Sequence, residues 1–224
     1  MTPALLQIFH IPPAIAVGTD LAFAAITKTV GVVAHRKTKL VQWRIAALML
    51  ASSLPACLIA LGSMQSTPSA DVNSLIRSGL GVALLGTALA ISFRNKLGSF
   101  RIANKSIRTV LTLICGGIIG WMVAWSSIGA GAIGCTVLAL IYPELEPRQV
   151  AATDIAYAVP LTTVGAIGHA FAGNLDGVLL MSLLIGSVPA IWIGVRLSER
   201  LNQDVSRSLL ASLLLIASAK YLYF

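Results

Sequence analysis

Two aspartates stand where a membrane would make them expensive. Asp20 lies in "AVGTDLAFAAITKTVGVVAH", Ala16 to His35, and Asp154 in "VAATDIAYAVPLTTVGAIGH", Val150 to His169. Each is about four residues, or roughly 6 Å, from the middle of an apolar span. A charge at that depth costs about 2.5–3.5 kcal/mol on insertion scales, so it must be protonated, paired or facing water. One reading makes the pair proton-coupling or gating carboxylates. The other makes each a helix–helix hydrogen bond, protonated or tied to backbone at a helix break. Residue types alone leave both open.

Lys28 shares the first span, and its counterpart in the second stretch is Thr162. It points about 80° away from Asp20, so a pair within the helix is disfavoured. Attraction of an anion, an ion pair with Asp154 and snorkelling toward the inner surface remain three competing roles. Asp20, Ala24, Thr27 and Gly31 recur on one narrow face of small residues, a pattern that tight helix packing explains except at Asp20. "SSIGAG", Ser126 to Gly131, sits inside an apolar stretch and just before a helix start. Free N–H groups and the positive end of the helix dipole there suit an anion, and Ser127, Gly129 and Gly131 let a ligand approach backbone closely. His35 and His169 fall at matched helix ends and are expected as interfacial anchors, with a proton relay as the alternative. Pro160 is expected to kink its helix. Cys57, Cys115 and Cys135 have no metal-ligand spacing and are expected as small buried apolar residues, and hydrolase signatures are absent. We expect no enzyme, no metal and no cofactor.

The elements that must hold these residues are set by composition. Of 224 residues 57% are hydrophobic and only 11% charged, with mean hydropathy +0.87. Soluble domains carry about 25% charged residues, so a multi-spanning membrane protein is the class that fits. The net charge of +8 resides mostly in short loops beside apolar spans, which argues topology and against nucleic acid. The N-terminus has neither the basic segment nor the cleavage site of a signal peptide. Spans are expected at Ala14–Ala34, Arg44–Gly62, Leu75–Phe93, Val150–Phe171, Val178–Val195 and Leu209–Phe224. Thr109–Tyr142 is too long for one crossing and should be a helix, a turn near Ser127–Gly131 and a second, shorter helix.

A repeat organises the chain. At a shift of 134, residues 16–35 align on 150–169 without a gap, with eight of twenty identical, including Thr19 with Thr153 and Asp20 with Asp154. "SLPA" at Ser53 falls on "SVPA" at Ser187 in the same register. If the broken span returns to its own side, the two copies are inverted. The basic loops Arg36–Lys39 with Arg44, Arg94–Arg108 and Arg196–Arg207 then share one face with Arg148, thirteen Lys/Arg against two. The positive-inside rule therefore prefers inversion, with that face cytoplasmic. Inverted repeats commonly hold a substrate near the midplane between discontinuous helices.

With "IGAGAIGCTVLALIYPELEPRQVAATD", Ile128 to Asp154, and the partial copy "ALLQIFHIPPAIAVGTD", Ala4 to Asp20, the sequence resembles the TauE/SafE sulfite exporter family. The resemblance covers nearly the whole chain. It implies export of sulfite or a small sulfonate across the bacterial inner membrane, with Thr19, Asp20, Thr153, Asp154, Gly129 and Gly131 along the route. Asp stands where many members have Ser. The first copy lacks its Gly-rich arm, so we expect either a natural start upstream of Met1 or a reduced variant. The expectation is an all-α polytopic membrane protein of about seven transmembrane helices in two inverted-topology repeats, 1–108 and 109–224, with a broken Gly-rich re-entrant span. Its function would be secondary transport of a small oxyanion, coupled or not to protons, and its partners a small anionic substrate and the lipid bilayer. A non-transporting membrane scaffold and a cation permease are the alternatives.

Overall fold

The computed structural model describes residues 2–7, 9–34, 40–66, 71–76, 78–79, 81, 104–129 and 131–200. Among them the chain forms α1 (Thr2–Gln7), α2 (Pro13–Ala34), α3 (Trp43–Gln65), α4 (Lys105–Ser126), α5 (Ala132–Ile141), α6 (Pro147–Phe171) and α7 (Gly177–Arg200). Residues 71–76 are helical as well, and no strand occurs among the described residues. Of these helices α2, α3, α4 and α6 are long and apolar enough to cross a membrane, and Gly177–Ile191 within α7 is a shorter apolar run. Most of the expected span Leu75–Phe93 and all of Leu209–Phe224 fall outside the described residues, as does His35.

Local sequence sets the helix ends. Pro13 and Pro147 open α2 and α6, where a missing N–H costs nothing and the fixed φ suits the first turn. Glu146 and Gln149 form a capping box on α6, with Glu146 N–H donating to Gln149 Oε1 at 3.0 Å. Asn104 caps α4 by accepting Ser106 N–H, and Asp176 caps α7 by accepting Val178 and Leu179 N–H. Apolar side chains such as Ile59, Phe171, Val178 and Ile185 are exposed, as a lipid-facing surface requires. Trp43, 72% exposed at the start of α3, is placed for the membrane interface.

Helix packing follows from glycines. Gly116 and Gly120 of α4, four apart, lie directly on the backbone of Met49 and Ser53 of α3, so these two helices run parallel in close contact. Gly18 of α2 packs on His169 and the Asn174 carbonyl, while Gly165 of α6 packs on Leu21. Residue numbers thus rise on α2 as they fall on α6, so the two equivalent helices cross antiparallel. Extended along both helices, this register centres the paired stretch near Ile26 and Pro160, themselves equivalent at the shift of 134. Helices related by that shift and packed antiparallel are what inverted repeats produce.

The Gly-rich break behaves as the sequence predicts. Ser127 ends α4 in the left-handed region (φ 56), and Gly129 and Gly131 adopt φ 135 and 137, which glycine alone tolerates readily. The chain then comes back. Tyr142 Oη meets Thr112 Oγ1 at 2.9 Å, and Glu144 pairs with Arg108, so the end of α5 lies beside the start of α4. The broken span is re-entrant.

Candidate functional site

The centre of the site is assembled from α2, α6 and the two short helices. Asp20 is 5% exposed and its Oδ2 accepts both the backbone N–H (2.9 Å) and hydroxyl (2.5 Å) of Thr2, the first residue of α1. A carboxylate at a helix N-terminus satisfies orphan donors and the dipole together. Asp154, 2% exposed, stands at the corresponding place on α5. The Gly131 N–H and the Cys135 thiol are within its reach, and Lys28 is the positive charge acting on it. Its Oδ1 lies with Tyr157 Oη directly on the Cα of Gly134, where an added methyl group would overlap both oxygens.

Lys28 is half-buried, two residues from Ile26 and so close to the crossing. The carboxylate that acts on it most strongly is Asp154, with Asp20 acting more weakly. The two aspartates lie on opposite sides of the crossing, each about 9 Å from it at 1.5 Å rise per residue.

The threonines are buried clips. Thr19 Oγ1 accepts Asp176 N–H at 3.0 Å, and Thr153 Oγ1 accepts Gln42 N–H at 3.0 Å. Gln42 and Asp176 precede α3 and α7 and are themselves 134 apart. Thr27 returns its hydroxyl to the Phe23 carbonyl and Thr162 to Ala158, so these two satisfy themselves within their helices. Ser127, Gly129 and Gly131 form the turn before α5, and a side chain drawn at Gly131 would enter open space. At that turn the nearest anionic group is the protein's own Asp154.

His169 corrects an expectation. It is not an interfacial anchor: it is 1% exposed, and its Nε2 donates to the Ala124 carbonyl on α4 at 2.9 Å. Burial follows from the Gly18 contact, which draws the end of α6 into the bundle. His169 also borders a cavity of about 480 Å³ with Ala14, Leu61, Met64, Asn73 and Asn174, at the end of α2 away from Asp154. No group of metal-ligating residues occurs among the described residues. Cys57 is buried and Cys115 and Cys135 are half-buried, all reduced, as expected of small apolar residues; Cys135 in addition borders Asp154. Sequence reasoning passed over Thr2, Gly134, Cys135 and Tyr157 as site residues. One signal was available: the same register pairs Thr2 with Thr136 and Phe23 with Tyr157.

An apolar all-helical bundle with paired, buried, symmetry-related charges at its centre is the frame of a membrane carrier, and relatives carry that description. The chain is similar to the probable membrane transporter protein YjnA of Bacillus subtilis (strain 168), 31% identical over 98% of this chain and 89% of the relative. It is similar to a probable membrane transporter protein of Methanocaldococcus jannaschii, 22% identical over 92% of this chain and 79% of the relative. YdhB of Bacillus subtilis, another probable membrane transporter protein, is 23% identical over 91% and 82%. No solved structure matches. The chain is a multi-pass membrane transporter and not an enzyme. It belongs to the TauE/SafE sulfite exporter family, whose profile matches residues 1–221.

Proposed function

We propose that the chain exports a small oxyanion, sulfite or an organosulfonate, across a bacterial inner membrane. The route runs between the repeats 1–108 and 109–224, past Thr19, Asp20, Lys28, Ser127, Gly129, Gly131, Thr153 and Asp154. The observation that supports this most is the placing of Lys28. A half-buried cation near the crossing of α2 and α6, flanked by the carboxylates of both repeats, is a site an anion can enter only by competing with a carboxylate. Asp154 already occupies the N-terminal end of α5, so protonating it frees both Lys28 and the Gly131 N–H for the substrate. Export then follows from rocking of one repeat against the other.

The test is flux in proteoliposomes with sulfite, a two-carbon sulfonate and monovalent cations, each with and without a proton gradient. Sulfite or sulfonate flux that Lys28→Met abolishes is the expected result. Cation flux without anion flux establishes the permease alternative, which the two carboxylates favour. No flux from folded protein establishes a scaffold.

A further inference from the structure

The two repeats present the same aspartate to different company. Asp20 is held by Thr2 through two hydrogen bonds on Oδ2, which pins α1 to α2. Among the described residues Asp154 Oδ1 makes no hydrogen bond, and neither does Tyr157 Oη beside it. A buried polar atom left unsatisfied is costly, and here two lie against the same glycine. The difference is written in the sequence. At the shift of 134, Tyr157 falls on Phe23, which has no hydroxyl, and Lys28 falls on Thr162, which has no charge.

We propose that the repeats have divided the work: Asp154 with Tyr157 is the proton-exchanging pair of the transport route, and Asp20 is a structural pin. This deepens the transport reading above and rests on it. A tyrosine hydroxyl both donates and accepts. When Asp154 carries a proton on Oδ1, that proton is donated to Tyr157 Oη. When the proton leaves to water in the route, Tyr157 donates its own to the carboxylate. One contact thus serves both protonation states, and a small closing movement at Gly134 completes it in either. The groups acting on Asp154 are Lys28 from α2, Cys135 and the Gly131 N–H at the start of α5, and Tyr157 on its own helix; α3 and α4 bring no titratable group to it among the described residues. A bound anion beside Lys28 competes with the Asp154 carboxylate for that cation, which links anion binding to proton uptake.

Dicyclohexylcarbodiimide tests the assignment without any substrate, because it adds to buried carboxyls only when they are protonated. The acid proton moves to a carbodiimide nitrogen, the carboxyl oxygen bonds to the central carbon, and rearrangement gives a stable acylurea. Peptide mass spectrometry of the labelled wild-type protein should find the adduct at Asp154 and none at Asp20, with yield falling as pH rises. Adduct at Asp20 to the same extent, or none at Asp154, overturns the proposal. The second readout is the pH profile of flux, taken on whichever anion moves. Asp154→Asn should flatten it, Tyr157→Phe should displace its midpoint, and Asp20→Asn should lower the yield of folded protein. A flattened profile in Asp20→Asn overturns the division of work. If neither sulfite nor a sulfonate moves but Asp154 labels, the substrate reading fails and the proton assignment stands.

Discussion

The hydroxyl of Thr19 accepts the backbone N–H of Asp176 across 157 positions of sequence, and the bond lies at the start of α7. Its counterpart joins Thr153 to Gln42 at the start of α3, so each repeat reaches over to hold the helix start of the other. Thr19→Val and Thr153→Val keep shape and remove the acceptor. Each should lower stability by about 1 kcal/mol, the net worth of one buried hydrogen bond, and Thr→Ser should restore most of it. Thermal unfolding in detergent measures both.

The parallel contact of α3 with α4 depends on having no side chains at Gly116 and Gly120, which lie on the backbone of Met49 and Ser53. Gly120→Leu should push the helices apart and remove the folded peak in detergent gel filtration. Gly117→Leu, at a position with open space, should leave that peak in place. Equal behaviour of the two variants would contradict the packing described.

Labelling can check inversion directly. In a background lacking Cys57, Cys115 and Cys135, single cysteines at Asn104 and Glu144 should react with an impermeant thiol reagent only from the cytoplasmic side. A cysteine at Gly177 should react only from outside, because Gly177 adjoins the end of α2 that carries Thr19. Reaction of Asn104 and Glu144 from opposite sides would make the copies parallel.

Lys28→Met should abolish anion flux, whereas Lys28→Arg should retain part of it, since it keeps the charge and changes its shape. Both variants should fold, because the side chain is only half-buried. Unchanged flux in Lys28→Met would remove the attraction role while leaving that of Asp154 intact.

His169→Ala should destabilise by about 1–3 kcal/mol through the orphaned Ala124 carbonyl, with His169→Asn milder because its amide can donate. Chemical denaturation of the purified protein followed by tryptophan fluorescence reads this out, Trp125 being next to Ala124 in sequence.

The helices were legible because a bilayer leaves a strong record: α2, α3, α4, α6 and α7 begin and end within a few residues of the apolar spans, and the break at Ser127–Gly131 was announced by its glycines. Inversion was legible through loop charge and is matched by the antiparallel crossing of α2 with α6. Side-chain roles were less so. Thr19 and Thr153 read as lining residues, and spacing could not show that their hydroxyls also accept from Asp176 and Gln42, partners fixed only by the tertiary packing. His169 read as a surface residue by its place at a helix end, and Gly18 of another helix buried it. Asp20 and Asp154 read as equals because spacing cannot show which carboxylate meets Thr2 and which meets Tyr157.

The antiparallel crossing near Ile26 and Pro160 has a consequence for how the molecule rests. In a carrier whose halves were identical in sequence, swapping the conformations of the halves would turn the inward-facing form into the outward-facing one at no difference in free energy. The two would be equally populated. Every residue present in one half only contributes to an imbalance, and about 1.4 kcal/mol suffices to hold one form tenfold in excess. Lys28 against Thr162 and Tyr157 against Phe23 are such residues, both beside the charges at the centre. Exchanging those side chains between the halves should therefore shift which form predominates.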